Sequence, residues 1–212
     1  MATSLTLGAS GADVNPLLVE STAPHGAPQI TNEHYKPAFE QAVREARANI
    51  AAIVGNAQAP TFANTIEALE FSGRRLDRIS NIFFNLNEAH TNDTMQALAL
   101  ELSPMLTEFS NDVSLDPKLF ARVKAVYDRR ESLGLNAEQR RLLEKTYKGF
   151  ARSGAALSDE DKKIYRELTA RLSELSLQFN QNSLAATNAF TLHVTDPAVV
   201  GELPDFVREG MA

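Results

Sequence analysis

The sequence predicts an all-α fold: an elongated bundle of about six amphipathic helices, with one short extended segment near 190–194. Three observations carry that prediction. Apolar residues recur at steps of three and four through most of the chain, a helical rather than a strand period. The period is interrupted at residues that stop or start helices, among them Gly55-Asn56, Asp116-Pro117 and Ser153-Gly154. Only Phe190-Thr191-Leu192-His193-Val194 alternates and is β-branched enough for a short strand or an extended exit.

Taken in order, residues 1–30 carry Gly8, Gly11, Pro16, Pro24, Gly26 and Pro28, the composition of an irregular N-terminal arm lying over the surface. Its apolar anchor is Asn15-Pro16-Leu17-Leu18. Thr31 or Asn32 starts the first helix, Pro37 falls in its opening turns, and Gly55-Asn56 stops it. Its stripe is Phe39, Val43, Ala46, Ile50 and Ile53/Val54. The segment Pro60–His90 is the element the rest is organised around. Asn64 and Glu67 form a capping-box variant, and Ile66, Leu69, Gly73, Leu76, Ile79, Phe83 and Leu86 hold one apolar face for roughly six turns.

Thr91 or Asn92 caps a third helix with the stripe Met95, Leu98, Leu102, Met105/Leu106 and Phe109; Pro104 within it predicts a kink or a break. Asp116-Pro117 restarts the chain into Leu119, Phe120, Val123, Val126 and Tyr127, ended by Ser132-Leu133-Gly134. Asn136 caps the fifth helix through Leu142, Leu143, Tyr147 and Phe150. Ser158 then leads three acids onto the start of a long sixth helix, where the macrodipole favours them. Ile164, Leu168, Leu172, Leu175, Phe179 and Leu184 or Ala186 carry it to about Asn188. Phe83 and Phe179, each on its helix's stripe, are expected in the core. Asp196-Pro197 turns again, and Leu203–Glu209 reads as the first turns of a further helix, as though the sequence were cut from a longer one. The expected organisation is an arm (1–30), a helical lobe (31–195) and the start of a connection (196–212).

A hydrophobic content of 43% with 23% charged residues is that of an ordinary soluble globular protein. The net charge of -6 argues against nucleic acid, which needs a surplus of clustered Lys and Arg. The lack of cysteine excludes disulfides and thiolate chemistry and fits a reducing compartment; with no signal-peptide layout and no long apolar run, the expected location is cytoplasmic, away from membranes.

No complete catalytic constellation emerges. His25, His34, His90 and His193 are scattered, no His-Glu-x-x-His occurs, and Glu88-x-His90 is one residue short of the Glu-x-x-His of carboxylate-bridged metal bundles. There is no Gly-x-Ser-x-Gly, no Ser-x-x-Lys and no glycine-rich phosphate loop. Arg74, Arg75 and Arg78 cluster beside Asp77, either to grip a carboxylate or phosphate or as a solvated face with local ion pairs. Arg129-Arg130 near Glu131, and Arg140-Arg141 near Glu138 and Glu144, are weaker versions of the same pattern. Asn180, Gln181, Asn182 and Asn188 form either a polar cavity lining or the exposed face of a fraying helix end. No catalytic, cofactor-binding or metal residue is assigned.

One stretch, with five more in matching order, carries a family resemblance beyond these patterns. Pro60-Thr61-Phe62-Ala63-Asn64-Thr65-Ile66-Glu67 is accompanied by Asn15–Leu18, Glu33–Phe39, Phe109–Val113, Tyr147–Ala155 and Phe179–Asn182. Together they resemble the N-terminal region of the thimet-oligopeptidase-like zinc metallopeptidases, nearest the bacterial peptidyl-dipeptidase and oligopeptidase A branch. The resemblance implies a two-lobed helical peptidase whose deep channel admits short unstructured peptides. It places the zinc-binding His-Glu-x-x-His helix in the later half of a much longer chain. This chain would then be an inactive accessory lobe without zinc, one wall of the channel, partnered by the catalytic part of the same polypeptide. The alternative from the residues alone is a stand-alone helical interaction protein.

Overall fold

The computed structural model describes residues 15–19 and 30–210. Most of the expected arm (1–30) therefore lies outside the described residues, apart from Asn15–Val19 and Ile30. The chain divides into two units, Met1–Leu175 and Ser176–Ala212.

In the first unit, helix α1 spans Asn32–Val54 and contains Pro37 without interruption. Thr31 is its N-cap, and the His34 ring nitrogen Nδ1 accepts the Thr31 backbone N–H at 2.9 Å, so a histidine takes the place a glutamate usually fills in a capping box. Ala38, Ala42 and Ala46 fall on one ridge of α1 at intervals of four and are buried to 0–1% exposure. They permit close approach to α3 (Arg74–Ala89) and α4 (Asp93–Ser114), both of which pack on α1. Phe83 of α3 is the centre of this half of the core: Tyr35 and Phe39 of α1 meet its ring edge-to-face at 4.8 and 5.8 Å.

The organising segment differs from the expectation in two ways. Its cap is Thr61, not Asn64: Thr61 Oγ1 accepts the Asn64 N–H at 3.1 Å, and Asn64 Oδ1 accepts the Thr61 N–H at 2.8 Å. Asn64 thus occupies the third position of the box and Glu67 has no part in it. The helix is also not continuous. A π-helical segment, Phe62–Glu67, runs into the short α2, Ala68–Phe71, and the chain breaks at Ser72-Gly73 before α3. The break satisfies its own polar groups. Ser72 Oγ donates to the Leu69 carbonyl, and the Ser72 carbonyl accepts from Asn49 of α1 at 2.9 Å. In α4 the opposite holds: the helix passes unbroken through the exposed Pro104.

The second half of the core gathers Ile50 and Ile53 of α1, Ile66, Leu119 and Val123 of α5 (Pro117–Asp128), and Leu143 and Phe150 of α6 (Ala137–Arg152). The cap expected at Asp116 is made, its Oδ1 accepting from the amides of Lys118 and Leu119. Arg122 of α5 ties down the loop before the π-helical segment by donating to the carbonyls of Asn56 and Gln58 and to Asn64 Oδ1. Gly154 ends α6 with φ +84°, and a Cβ there would lie 2.8 Å from Leu157 Cδ1, so both backbone and space require glycine.

Helix α7 (Asp159–Ala189) departs most from the expectation. None of its residues is buried. In the first unit it sits on α4 through polar groups: Arg166 to Asp112 at 2.8 Å, Asn111 to Thr169 at 2.8 Å and Ser103 to Ser173 at 2.9 Å. Its predicted core stripe faces elsewhere, with Ile164 51% and Leu168 64% exposed. At 100° per residue the Ile164-Leu168-Leu175 side lies about 150° around the helix from the Arg166-Thr169-Ser173 side. The helical period located the apolar stripe but not the side that meets the bundle.

The second unit holds the end of α7 and two short helices, α8 (Pro197–Gly201) and α9 (Asp205–Glu209). Phe179 is 72% exposed, which overturns its assignment to the core. Residues 190–196 have no regular structure, and no strand occurs among the described residues, so the alternating segment is an exit from α7 rather than a strand.

The two phenylalanines test this division. Phe83→Ala is expected to cost about 3–5 kcal/mol in urea unfolding, as for a fully enclosed ring, and Phe179→Ala less than about 0.5 kcal/mol. Comparable losses would place Phe179 in a core.

Candidate functional site

The arginine cluster takes a role that neither expectation named. Arg75 donates to the Leu18 carbonyl at 3.0 Å, and Arg78 donates to the carbonyls of Val19 at 3.0 Å and Leu17 at 2.6 Å. These carbonyls end the 3-10 turn Pro16–Leu18, where no helical partner is available. Arg75 Nε also meets Glu45 at 3.1 Å, and Arg74 lies over the Phe71 ring at 5.4 Å. Asn15 completes the anchor by donating to the His34 carbonyl at 2.7 Å. Leu17, which this arrangement holds in place, is 2% exposed. The cluster therefore clasps the chain's own backbone.

The remaining singled-out residues are dispersed. Arg130 stacks on Tyr127 at 4.4 Å, Arg129 donates to the Pro60 carbonyl, and Arg140 approaches Glu131 at 3.6 Å rather than Glu138 or Glu144. His34 is a helix cap, His90 ends α3 at the surface, and His193 is exposed in the segment after α7; His25 lies outside the described residues. Asn180, Asn182 and Asn188 are exposed and Gln181 half-buried, the arrangement of an exposed face. Among the described residues no three His, Cys, Asp or Glu side chains come together in a way that could hold a metal ion. None of the described helices is long and apolar enough to cross a membrane.

Tertiary packing creates two neighbouring grooves that no sequence pattern announced. One, of about 620 Å³, lies along α1, α4 and α5 and contains Arg47, Asp112 and Arg166. There Asp112 accepts from Arg47 at 2.6 Å and from Arg166 at 2.8 Å. The other, of about 560 Å³, lies among α2, α3, α4 and α6. It shares the wall Ile50, Phe109 and Val113 with the first, but the titratable groups lining it are Glu70 and Asp77, with no Lys, Arg or His among them. Partial burial pushes the Asp77 carboxyl above its ordinary value, because desolvation disfavours its charged form.

No protein-family model matches the chain. Among curated proteins, the dipeptidyl carboxypeptidase of Escherichia coli (strain K12) is 47% identical over 188 residues, which is 87% of this chain and 28% of that protein. The dipeptidyl carboxypeptidase of Salmonella typhimurium is 45% identical over 86% of this chain and 27% of its own length. The oligopeptidase A of Escherichia coli (strain K12) is 29% identical over 90% of this chain and 28% of its own length. The chain's homologues are thus dipeptidyl carboxypeptidases and, at lower identity, oligopeptidases A, the same branch that the short stretches point to. The chain spans under a third of each of these relatives.

Two substitutions test the local electrostatics. Arg78→Ala, which removes two bonds from a charged donor, is expected to cost about 1–3 kcal/mol of stability by urea unfolding; no loss would mean the anchor is not held. Asp77 has a raised folded-state pKa, so its contribution to stability is present at low pH and lost as pH rises through that pKa. Asp77→Asn should therefore raise the thermal midpoint at neutral pH, and the gain should vanish below the ordinary aspartate value of 3.8. A gain that persists in acid would contradict desolvation as its cause.

Proposed function

We propose that this chain forms the helical N-terminal part of a zinc-dependent peptidyl-dipeptidase, which releases dipeptides from the C-terminus of short unstructured peptides in the cytoplasm. The observation that carries the reading is the 47% identity to a dipeptidyl carboxypeptidase over 87% of the chain, against 29% for oligopeptidase A. The described residues bring together no metal-ligand set, so they do not fit zinc and no hydrolytic step is derived through them. In this reading the zinc ligands and general base belong to the remainder of a polypeptide about as long as the relatives. Zinc there would activate the attacking water. The present residues would form part of the wall that limits access to the channel.

Helix α7 supports the partner in this reading. A helix seated on its neighbour by Arg166, Thr169 and Ser173 while Ile164, Leu168 and Leu175 face outward leaves an apolar side open to a partner. Its occupant in this proposal is helical structure from the remainder of the same polypeptide, since the relatives are more than three times as long as the matched segment.

The test is zinc content and hydrolysis of an N-acetylated tetrapeptide with a free C-terminus, measured on this chain and on a polypeptide of the relatives' length that contains it. The expected result is no zinc and no cleavage for the chain, with bound zinc and dipeptide release for the longer protein. Stoichiometric zinc with cleavage by the chain alone would overturn the division of labour. Internal cleavage by the longer protein would favour an oligopeptidase, and no cleavage by either would favour a helical interaction protein.

A further inference from the structure

The groove among α2, α3, α4 and α6 is unlike its neighbour in one physical respect: the titratable groups lining it are both acidic, with no basic side chain among them. Glu70 of α2 and Asp77 of α3, on either side of the Ser72-Gly73 break and both lining it, make no ion pair among the described residues. Arg74 is placed to reach Glu70 across one turn, but its guanidinium lies over Phe71. In the adjacent groove, by contrast, Asp112 is shared by two arginines. The floor of the acidic groove is apolar, made by Ile50, Leu76 and Phe150, of which Leu76 is 5% and Phe150 8% exposed. Its rim carries the hydroxyls of Ser80, Ser110 and Thr146. Gly149 of α6 also lines it, and a Cβ built there meets nothing within 4 Å, so the space beside it is open.

We infer that this groove binds a peptide segment that places a basic side chain against Asp77 and Glu70 and an apolar side chain on the Ile50-Leu76-Phe150 floor. The chemistry is complementary in each part. An ammonium or guanidinium supplies the counter-charge that the groove lacks. An aliphatic side chain removes apolar floor from water. The rim hydroxyls, which donate as well as accept, can take up backbone carbonyls and amides of an extended segment. A volume of about 560 Å³ is within the range of sites for small ligands and admits two or three residues rather than a folded domain. A peptide as the ligand rests on the proposed function; the preference for basic over acidic residues rests on the groove alone. The inference adds to that function a binding surface selective for sequences with a basic residue next to an apolar one.

The experiment titrates this chain, isotopically labelled, with acetyl-Leu-Lys-Leu-amide and with acetyl-Leu-Glu-Leu-amide, following backbone amide shifts by NMR. The lysine peptide is expected to shift amides around Asp77, Ser80, Val113 and Gly149, and to bind at least about fivefold more tightly than the glutamate peptide. Asp77→Lys should reverse that preference, and Gly149→Leu, which fills the open space, should abolish the shifts with circular dichroism unchanged. Equal binding of the two peptides, or shifts confined to other surfaces, would overturn the inference. Should Gly149→Leu unfold the chain, the Asp77→Lys reversal decides alone. Because no hydrolysis is read, cleavage by the longer protein without basic preference here sinks only the groove, whereas selective binding here without cleavage there sinks only the peptidase reading.

Discussion

The ridge of small side chains on α1 is the constraint on which the rest of the first unit depends. Ala38, Ala42 and Ala46 present almost no bulk, so α3 and α4 can approach the α1 backbone closely and interlock Phe83 with Tyr35 and Phe39. Beyond that ridge the same helix changes partners: Ile50 and Ile53 enter the cluster with Ile66, Leu119 and Leu143. One helix thereby contributes to both halves of the core. The break at Ser72-Gly73 fits this division, since it lets the π-helical segment serve the α5–α6 half while α3 serves the other.

Polar side chains fix the ends of this arrangement where apolar contact is lacking. Arg122 holds the loop that leads into the π-helical segment, and Arg75 with Arg78 hold the anchor around Leu17. In each case guanidinium groups answer carbonyls left without a helical partner. Helix α7 follows the same rule, being attached by hydroxyls, an amide and an ion pair. A helix attached this way leaves Ile164, Leu168 and Leu175 exposed, and the proposed role within a larger peptidase draws on that feature.

Most limits of the main helices are legible in the residues because caps and stops act locally. Asp116-Pro117, Asn136 and Gly154 operate within a few residues of themselves, and each lies where the sequence placed it. The cap at Thr61 was misread as Asn64 because a box is reciprocal, and either polar residue can be taken for the first. The break at Gly73 was missed because the apolar period runs straight across it; what stabilises the break is Asn49, a residue from another helix.

What the sequence by itself determined is the helical period, the capping chemistry and the family likeness, since each is written in residues close together or in matching order. Which face of a helix is covered was decided only by the tertiary structure, as Phe83 and Phe179 illustrate: both lie on apolar stripes, yet one is fully enclosed and the other 72% exposed. Periodicity gives an angle around a helix axis but not the neighbour at that angle. The acidic groove was likewise invisible, because Glu70 and Asp77 of one segment meet Ser110 and Thr146 of others only after the helices pack. Whether a charge is answered depends on distances between residues remote in the chain, and packing alone sets those distances.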